Sequence, residues 1–205
     1  MAKILFPFIP TIFKSQRLYS KNMTSEELNI NTELLDRCKN DEVKAQFILY
    51  KQYSKAMYNI AIRFLNNKMD AEDILQESFV TAFKNLNELA NDKAFGSWLK
   101  RIVINNCISH IRKNRIGFED IDNYDSIASF GDEEPDISID PALVHYAIKE
   151  LPAGGRTVLV LHALEGYKHR EISEMLGISE STSKSQYKRA LDLLYIQLKQ
   201  KIYVR

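Results

Sequence analysis

An all-α fold, built as two small helical domains joined by an acidic flexible linker, is predicted for this chain on three observations. Apolar residues recur with the 3.6-residue period of a helix over long stretches on both sides of Ile116. Only 7 Gly and 5 Pro occur in 205 residues, a scarcity that favours long helices over a turn-rich sheet. Between Ile116 and Pro141 the periodicity stops, and Glu119, Asp120, Asp122, Asp125, Asp132, Glu133, Glu134, Asp136 and Asp140 stand there without a Lys or Arg. A structureless loop of about 26 residues is foreign to a compact domain, so this stretch reads as a linker. Its extended reach is on the order of 85 Å.

The composition, 45% hydrophobic and 27% charged, is that of a globular protein, and the formal net charge of +1 names no partner by itself. Cys38 and Cys107 are isolated, with no C-x-x-C pair or Cys/His ligand spacing, which predicts a reduced, cytosolic chain with no metal and no cofactor. No apolar run reaches the roughly 18 residues of a membrane span. Residues 1–22 are apolar, basic and acid-free, but Pro7 and Pro10 interrupt them and no A-x-A-like cleavage site follows. They are expected to be a disordered or upstream-encoded extension, with the working chain starting at Met23.

Asn31 to Cys38 and Glu42 to Phe64 are expected helices, the second with a core stripe of Phe47, Tyr50, Tyr53 or Ser54, Met57, Tyr58, Ala61, Phe64 and Leu65. The next begins at Met69 to Asp73 with Asp70 as N-cap, and buries Leu75, Phe79, Ala82, Phe83 and Leu86. Glu72, Asp73, Gln76 and Glu77 lie off that stripe. They serve the helix dipole, or a partner's basic helix. After a polar loop from Asn87 to Asp92, the segment Lys93 to Arg115 carries Lys93, Lys100, Arg101, Arg112, Lys113 and Arg115 against no acid. Leu99, Ile102, Val103 and Ile108 are its expected core. Phe95 and Trp98 either pack inside or stack on unpaired bases, a contact worth roughly 1–3 kcal/mol per base.

The second domain is expected from Ala142, with a helix to Glu150, Pro152 at a first helical position, and a helix from Arg156 to Leu164 ended by Gly166. Gly154 and Gly155 make a loose helix start, at about 1 kcal/mol each relative to Ala. His169 to Leu194 reads as a helix-turn-helix. Ile172, Met175 and Leu176 sit at helical spacing beside Glu171, Gly177 is placed for a left-handed C-cap, and Ser179 N-caps a second helix with Thr182 three residues on. That helix offers Ser183, Tyr187, Ala190, Leu191 and Leu194 on one lane and Ser181, Lys184, Ser185 and Lys188 on another. Short polar and cationic side chains near the N-terminus of such a helix suit a DNA major groove, although a surface hairpin with solvated charges shares the pattern. The last residues, from Lys199, are expected to fray.

Taken together these stretches resemble the sigma-70 family of RNA polymerase sigma factors, in its two-domain extracytoplasmic-function group. DAEDILQESFVTAFKNL at 70–86 is similar to region 2.2, FGSWLKRIVINNCISHIRK at 95–113 to regions 2.3 and 2.4, and 151–191 to region 4. The resemblance implies a region 2 domain over 23–115, a linker over 116–141 and a region 4 domain over 142–205. It implies that Asp70, Glu72, Asp73, Gln76 and Glu77 dock on the β′ clamp helices of core RNA polymerase. It implies that Lys93, Phe95, Trp98, Arg101, Asn105, Arg112 and Lys113 recognise and melt the minus-10 element. Ser181, Thr182, Lys184, Ser185, Lys188 and Arg189 would then read the minus-35 element. Two residues depart from the family's usual recognition helix: Ser183 stands where a β-branched apolar residue is common, and Gln186 where Arg is common.

The function implied is promoter-specific transcription initiation in the cytoplasm, nucleoid-associated when bound to polymerase, with no catalysis of its own and with an anti-sigma factor as a further partner. No nucleophile–base arrangement, phosphate loop or metal cluster argues for an enzyme, and His110, His145, His162 and His169 show no partner in sequence. A stand-alone helix-turn-helix regulator is the alternative, and it predicts palindrome binding without polymerase. An interaction adaptor with merely solvated basic faces predicts no DNA binding.

Overall fold

The computed structural model describes residues 32–114 and 141–203, and the regular elements among them are all helical. The described residues divide into two compact units, 32–114 and 141–203. The expectations for 1–22, for the acidic stretch up to Asp140 and for Arg115 fall outside the described residues.

The first unit contains α1 (Thr32–Lys39), α2 (Val43–Leu65), α3 (Lys68–Lys84) and α4 (Phe95–Lys113), with single 3₁₀ turns at Leu86–Glu88 and Asp92–Ala94. The junction of α2 and α3 is two asparagines with different tasks. Asn66 takes the left-handed conformation at φ 53° that ends α2, which Asn tolerates better than most residues. Asn67 is the N-cap of α3, its side chain accepting from the Met69 amide at 2.9 Å. The expected cap, Asp70, is therefore displaced: it lies inside the first turn, because Asn67 already satisfies the leading amides.

α2 packs on both α3 and α4, and these pack on each other. Its buried lane is Ala45, Leu49, Tyr53, Met57, Ile60, Ala61 and Phe64. Phe47 was expected in that lane, yet it is 56% exposed, with the Lys51 ammonium 4.7 Å from its ring centroid. The helical period is right and its phase is rotated. Phe47 and Leu49 stand about 200° apart around the helix, and the smaller residue takes the inside. Tyr53 meets the Phe95 ring edge-on at 5.0 Å, and Tyr50 meets Phe79 at 4.7 Å. Each such pair adds about 0.5–1.5 kcal/mol beyond area burial.

Ser78 is buried in this core without loss, since its hydroxyl donates to the Ile74 carbonyl at 2.6 Å and accepts from the Asn106 amide at 3.0 Å. That bond, with Asp70 facing His110 at 3.6 Å, ties α3 to α4. Burial pushes the Cys38 thiol up to about 11 and the Cys107 thiol to about 12, so both stay protonated at neutral pH.

The second unit contains α5 (Pro141–Lys149), α6 (Ala153–Leu159), a π turn (Val160–Leu164), α7 (His169–Leu176) and α8 (Glu180–Tyr203). Two expectations shift here, the role of Pro152 and the start of the next helix. Pro152 is the N-cap residue rather than the first helical one, since its ψ of 142° lies outside the helical region, and α6 starts at Ala153. α8 is drawn as helix to Tyr203, through the stretch from Lys199 expected to fray. The Gly154–Gly155 start also has a packing reason: a Cβ on Gly155 would stand 3.3 Å from the Ala190 Cβ, so the missing side chain lets α6 lie close on α8. Beside it, buried Arg156 donates to the Lys149 and Leu151 carbonyls at 3.1 and 2.9 Å, covering the end of α5.

Candidate nucleic-acid interface

α7 and α8 meet through the turn the sequence predicted. Gly177 ends α7 at φ 68°, and nothing lies within 4 Å of where its Cβ would be, so conformation and not crowding selects glycine. Ser179 then caps α8 by accepting from the Thr182 amide at 2.9 Å. At the other end of α7 the Lys168 amide donates to the Glu171 carboxylate at 2.7 Å.

Along α8 the two lanes separate. Ser183, Ala190, Leu191 and Leu194 are buried, Tyr187 is half-buried, and Ser181, Lys184, Ser185 and Lys188 are exposed. Lys184 pairs with Glu180 at 2.6 Å, which holds the Glu180 carboxyl below the usual carboxylate range. Ser185 donates to the Thr182 carbonyl at 3.0 Å. Arg189 is half-buried at the edge of the lane. Thr182 corrects the expectation. It is 8% exposed and its hydroxyl lies 2.7 Å from Ser179 Oγ, so it belongs to the cap rather than to a DNA-facing surface.

In the first unit α4 carries the other basic lane. Arg101, Asn105, Arg112 and Lys113 are exposed, as is Lys93 just before the helix, and Trp98 is half-exposed. Helical geometry puts Trp98, Arg101, Asn105 and Arg112 within an arc of about 60°, one face. Phe95 corrects the expectation here. It is fully buried against Tyr53 and Trp98, so it has no ring face to offer a base and serves by seating Trp98 at a centroid distance of 6.1 Å.

On α3, Glu72, Asp73, Gln76 and Glu77 are exposed on one arc, opposite the buried Ala71, Ile74, Leu75, Ser78, Phe79 and Ala82. Asp70 is only half-exposed and turned toward His110. Within the acidic arc stand two exposed apolar residues that sequence reasoning had left out, Met69 at 74% and Val80 at 52%. Their position off the buried stripe was the available signal. Two apolar contacts framed by carboxylates suit a protein partner with a basic surface.

Two lone histidines of the sequence also come together. His162, on the π turn, and His169, opening α7, stack with centroids 4.2 Å apart and planes 20° apart, and Tyr187 meets both edge-on. Among the described residues no cluster of three or more His, Cys, Asp or Glu is arranged to hold a metal, and no helix is long and apolar enough to cross a membrane.

The family model described as Sigma-70 region 2 matches residues 49–116, and that described as Sigma-70, region 4 matches 142–194. The RNA polymerase sigma-H factor of Pseudomonas aeruginosa is 28% identical over 174 residues, covering 79% of this chain and 90% of its own. The ECF RNA polymerase sigma factor SigW of Bacillus subtilis is 31% identical over 159 residues, covering 72% of this chain and 85% of its own. A solved structure of the sigma factor RpoE in complex with the anti-sigma factor NepR, from Bartonella quintana, aligns with a TM-score of 0.46 at 23% identity, covering 77% of this chain and 98% of that one. On the two matched regions, in order and together spanning more than half its length, the chain belongs to the sigma-70 family, in the extracytoplasmic-function group of RNA polymerase sigma factors.

Proposed function

We propose that this sigma factor works as a two-point promoter clamp, binding core RNA polymerase and directing initiation through two DNA elements. Glu72, Asp73, Gln76 and Glu77, with Met69 and Val80 among them, form the docking face for the β′ clamp helices, and Asp70 orients the edge of that face. Trp98, Arg101, Asn105, Arg112, Lys113 and Lys93 engage the minus-10 element. Ser181, Lys184, Ser185, Lys188 and Arg189 engage the minus-35 element, from a region 4 domain over 142–205 linked through 116–141 to a region 2 domain over 23–115. The chain catalyses nothing itself. It acts in the cytoplasm, on the nucleoid when polymerase carries it, and an anti-sigma protein is its proposed regulator.

The observation that supports this most is the pairing of α3 and α4. Ser78 and Asn106 join the helix with the acidic face to the helix with the basic one, so polymerase docking presents the basic lane in a set orientation. Binding at two points also relaxes the demand on each. Once polymerase holds one unit, the other searches at a high effective concentration, and α8 needs little affinity of its own. Run-off transcription with purified core polymerase and genomic fragments tests the proposal. Transcripts starting at specific sites are expected only when the chain is added, and their absence together with failure to recover polymerase in a pull-down overturns it.

A further inference from the structure

Ser183 departs from the apolar residue its place in the buried lane of α8 calls for, and it is fully buried there. Its hydroxyl has a partner across the helix-turn-helix: His169 Nδ1, at 2.9 Å. His169 is the first residue of α7, so this bond spans the two helices of the motif at the end nearest the exposed DNA lane. The imidazole is held from its other side by His162, stacked at 4.2 Å, while Tyr187 closes both rings edge-on at 4.7 and 5.5 Å. His162 is itself fixed, since its Nδ1 lies 2.8 Å from the Tyr167 carbonyl, which only accepts; that nitrogen therefore carries the hydrogen. The π turn that brings His162 to this point places an extra residue in the helix, a feature frequent at functional positions.

We propose that His169 is a positioning residue for the recognition helix α8, holding it through Ser183 in the orientation that reaches DNA, and that proton uptake by His169 weakens this hold. The inference rests on α8 being the minus-35 reader. Ser183 and His169 act as a matched pair, in which a buried hydroxyl that would weaken an apolar lane is satisfied by an imidazole facing it.

The charged and titratable groups around His169 set the direction. From the π turn there is His162, and from α8 there are Glu180, Lys184 and Tyr187. Burial first, then the neighbouring His162 and Lys184, hold its pKa below the ordinary histidine value of 6.5, with Glu180 opposing. A half-buried imidazole that resists protonation keeps its full contribution above about 6.5. Below that, the unfolded or released segment takes the proton more readily, so the arrangement weakens as pH falls toward the depressed folded value.

The test uses the full chain with core RNA polymerase, measuring affinity for a promoter fragment labelled beside its minus-35 half, between about pH 5.5 and 8. Ser183→Ala strands the imidazole nitrogen and is expected to weaken binding about fivefold at neutral pH. His169→Asn keeps an amide at the Nδ1 position but does not titrate, so it is expected to bind near the wild-type level at pH 7.5 and to lack the fall that the wild type shows below about 6.5. Circular dichroism of each variant checks that both remain folded. If His169→Asn keeps the wild-type pH profile, or Ser183→Ala binds as the wild type does, the positioning role is wrong. Lys188→Ala separates the two readings: weakened binding there with silent His169 and Ser183 variants removes only the positioning role. Unchanged binding with Lys188→Ala removes α8 as the minus-35 reader.

Discussion

Salt dependence offers a way to count the cations of α8 that meet phosphate. Lys188 is exposed in the same lane as Ser181, Lys184 and Ser185, whereas Lys184 is held by Glu180 at 2.6 Å with both side chains about half in solvent. Each phosphate neutralised contributes about 0.9 to the slope of log affinity against log salt. Lys188→Ala is therefore expected to flatten that slope by about one unit. Between ~0.05 and ~0.3 M salt the wild type should lose about fivefold more affinity than the variant does. Glu180→Gln works in the opposite sense, because it frees Lys184 from its carboxylate and removes a negative charge from the DNA-facing end of the helix. It is expected to steepen the slope and to tighten binding at low salt. Fluorescence anisotropy of the polymerase-bound factor on one promoter fragment, titrated with salt, measures all three. An unchanged slope for Lys188→Ala, or weaker low-salt binding for Glu180→Gln, would refute the assignment of this lane to phosphate.

Four further outcomes are expected. Charge reversal at Glu72, Asp73 and Glu77 should abolish recovery of core polymerase in a pull-down while leaving the thermal midpoint close to wild type, since all three are exposed. Trp98→Ala should reduce permanganate reactivity of the melted minus-10 bases, by an amount equivalent to about 1–3 kcal/mol if the ring stacks on a base. Phe95→Ala should instead cost about 3–5 kcal/mol of stability, read as a lowered denaturant midpoint, because that ring is buried. Gly177→Ala should destabilise the second unit by about 1–2 kcal/mol through its left-handed backbone, with Gly177→Asn costing less, as calorimetry would show.

Local signals were legible wherever one residue type has one strong reason to stand where it does. The Gly177 C-cap, the Ser179 N-cap and the two lanes of α8 follow from φ preference, short-range hydrogen bonding and the helical period. Signals with two competing candidates were not. Asp70 and Asn67 both suit an N-cap, and only the course of the chain decides which amides come first. Phe47 and Leu49 both continue a helical stripe, and their roles are set by what α3 and α4 bring against α2.

By itself the sequence determined the all-helical class, the two matched regions in their order, the acidic face of α3 and the basic lanes of α4 and α8, because periodicity and charge are carried along the chain. Only the tertiary structure decided what needs two distant segments at once. Phe95 lies inside because Tyr53 stands opposite it, and Gly155 is glycine because Ala190 approaches it. Ser183 is tolerated in an apolar lane because His169, fourteen residues earlier, turns a ring nitrogen toward it. A polar residue in a buried stripe shows in sequence as a defect, and its partner becomes visible only when the helices meet.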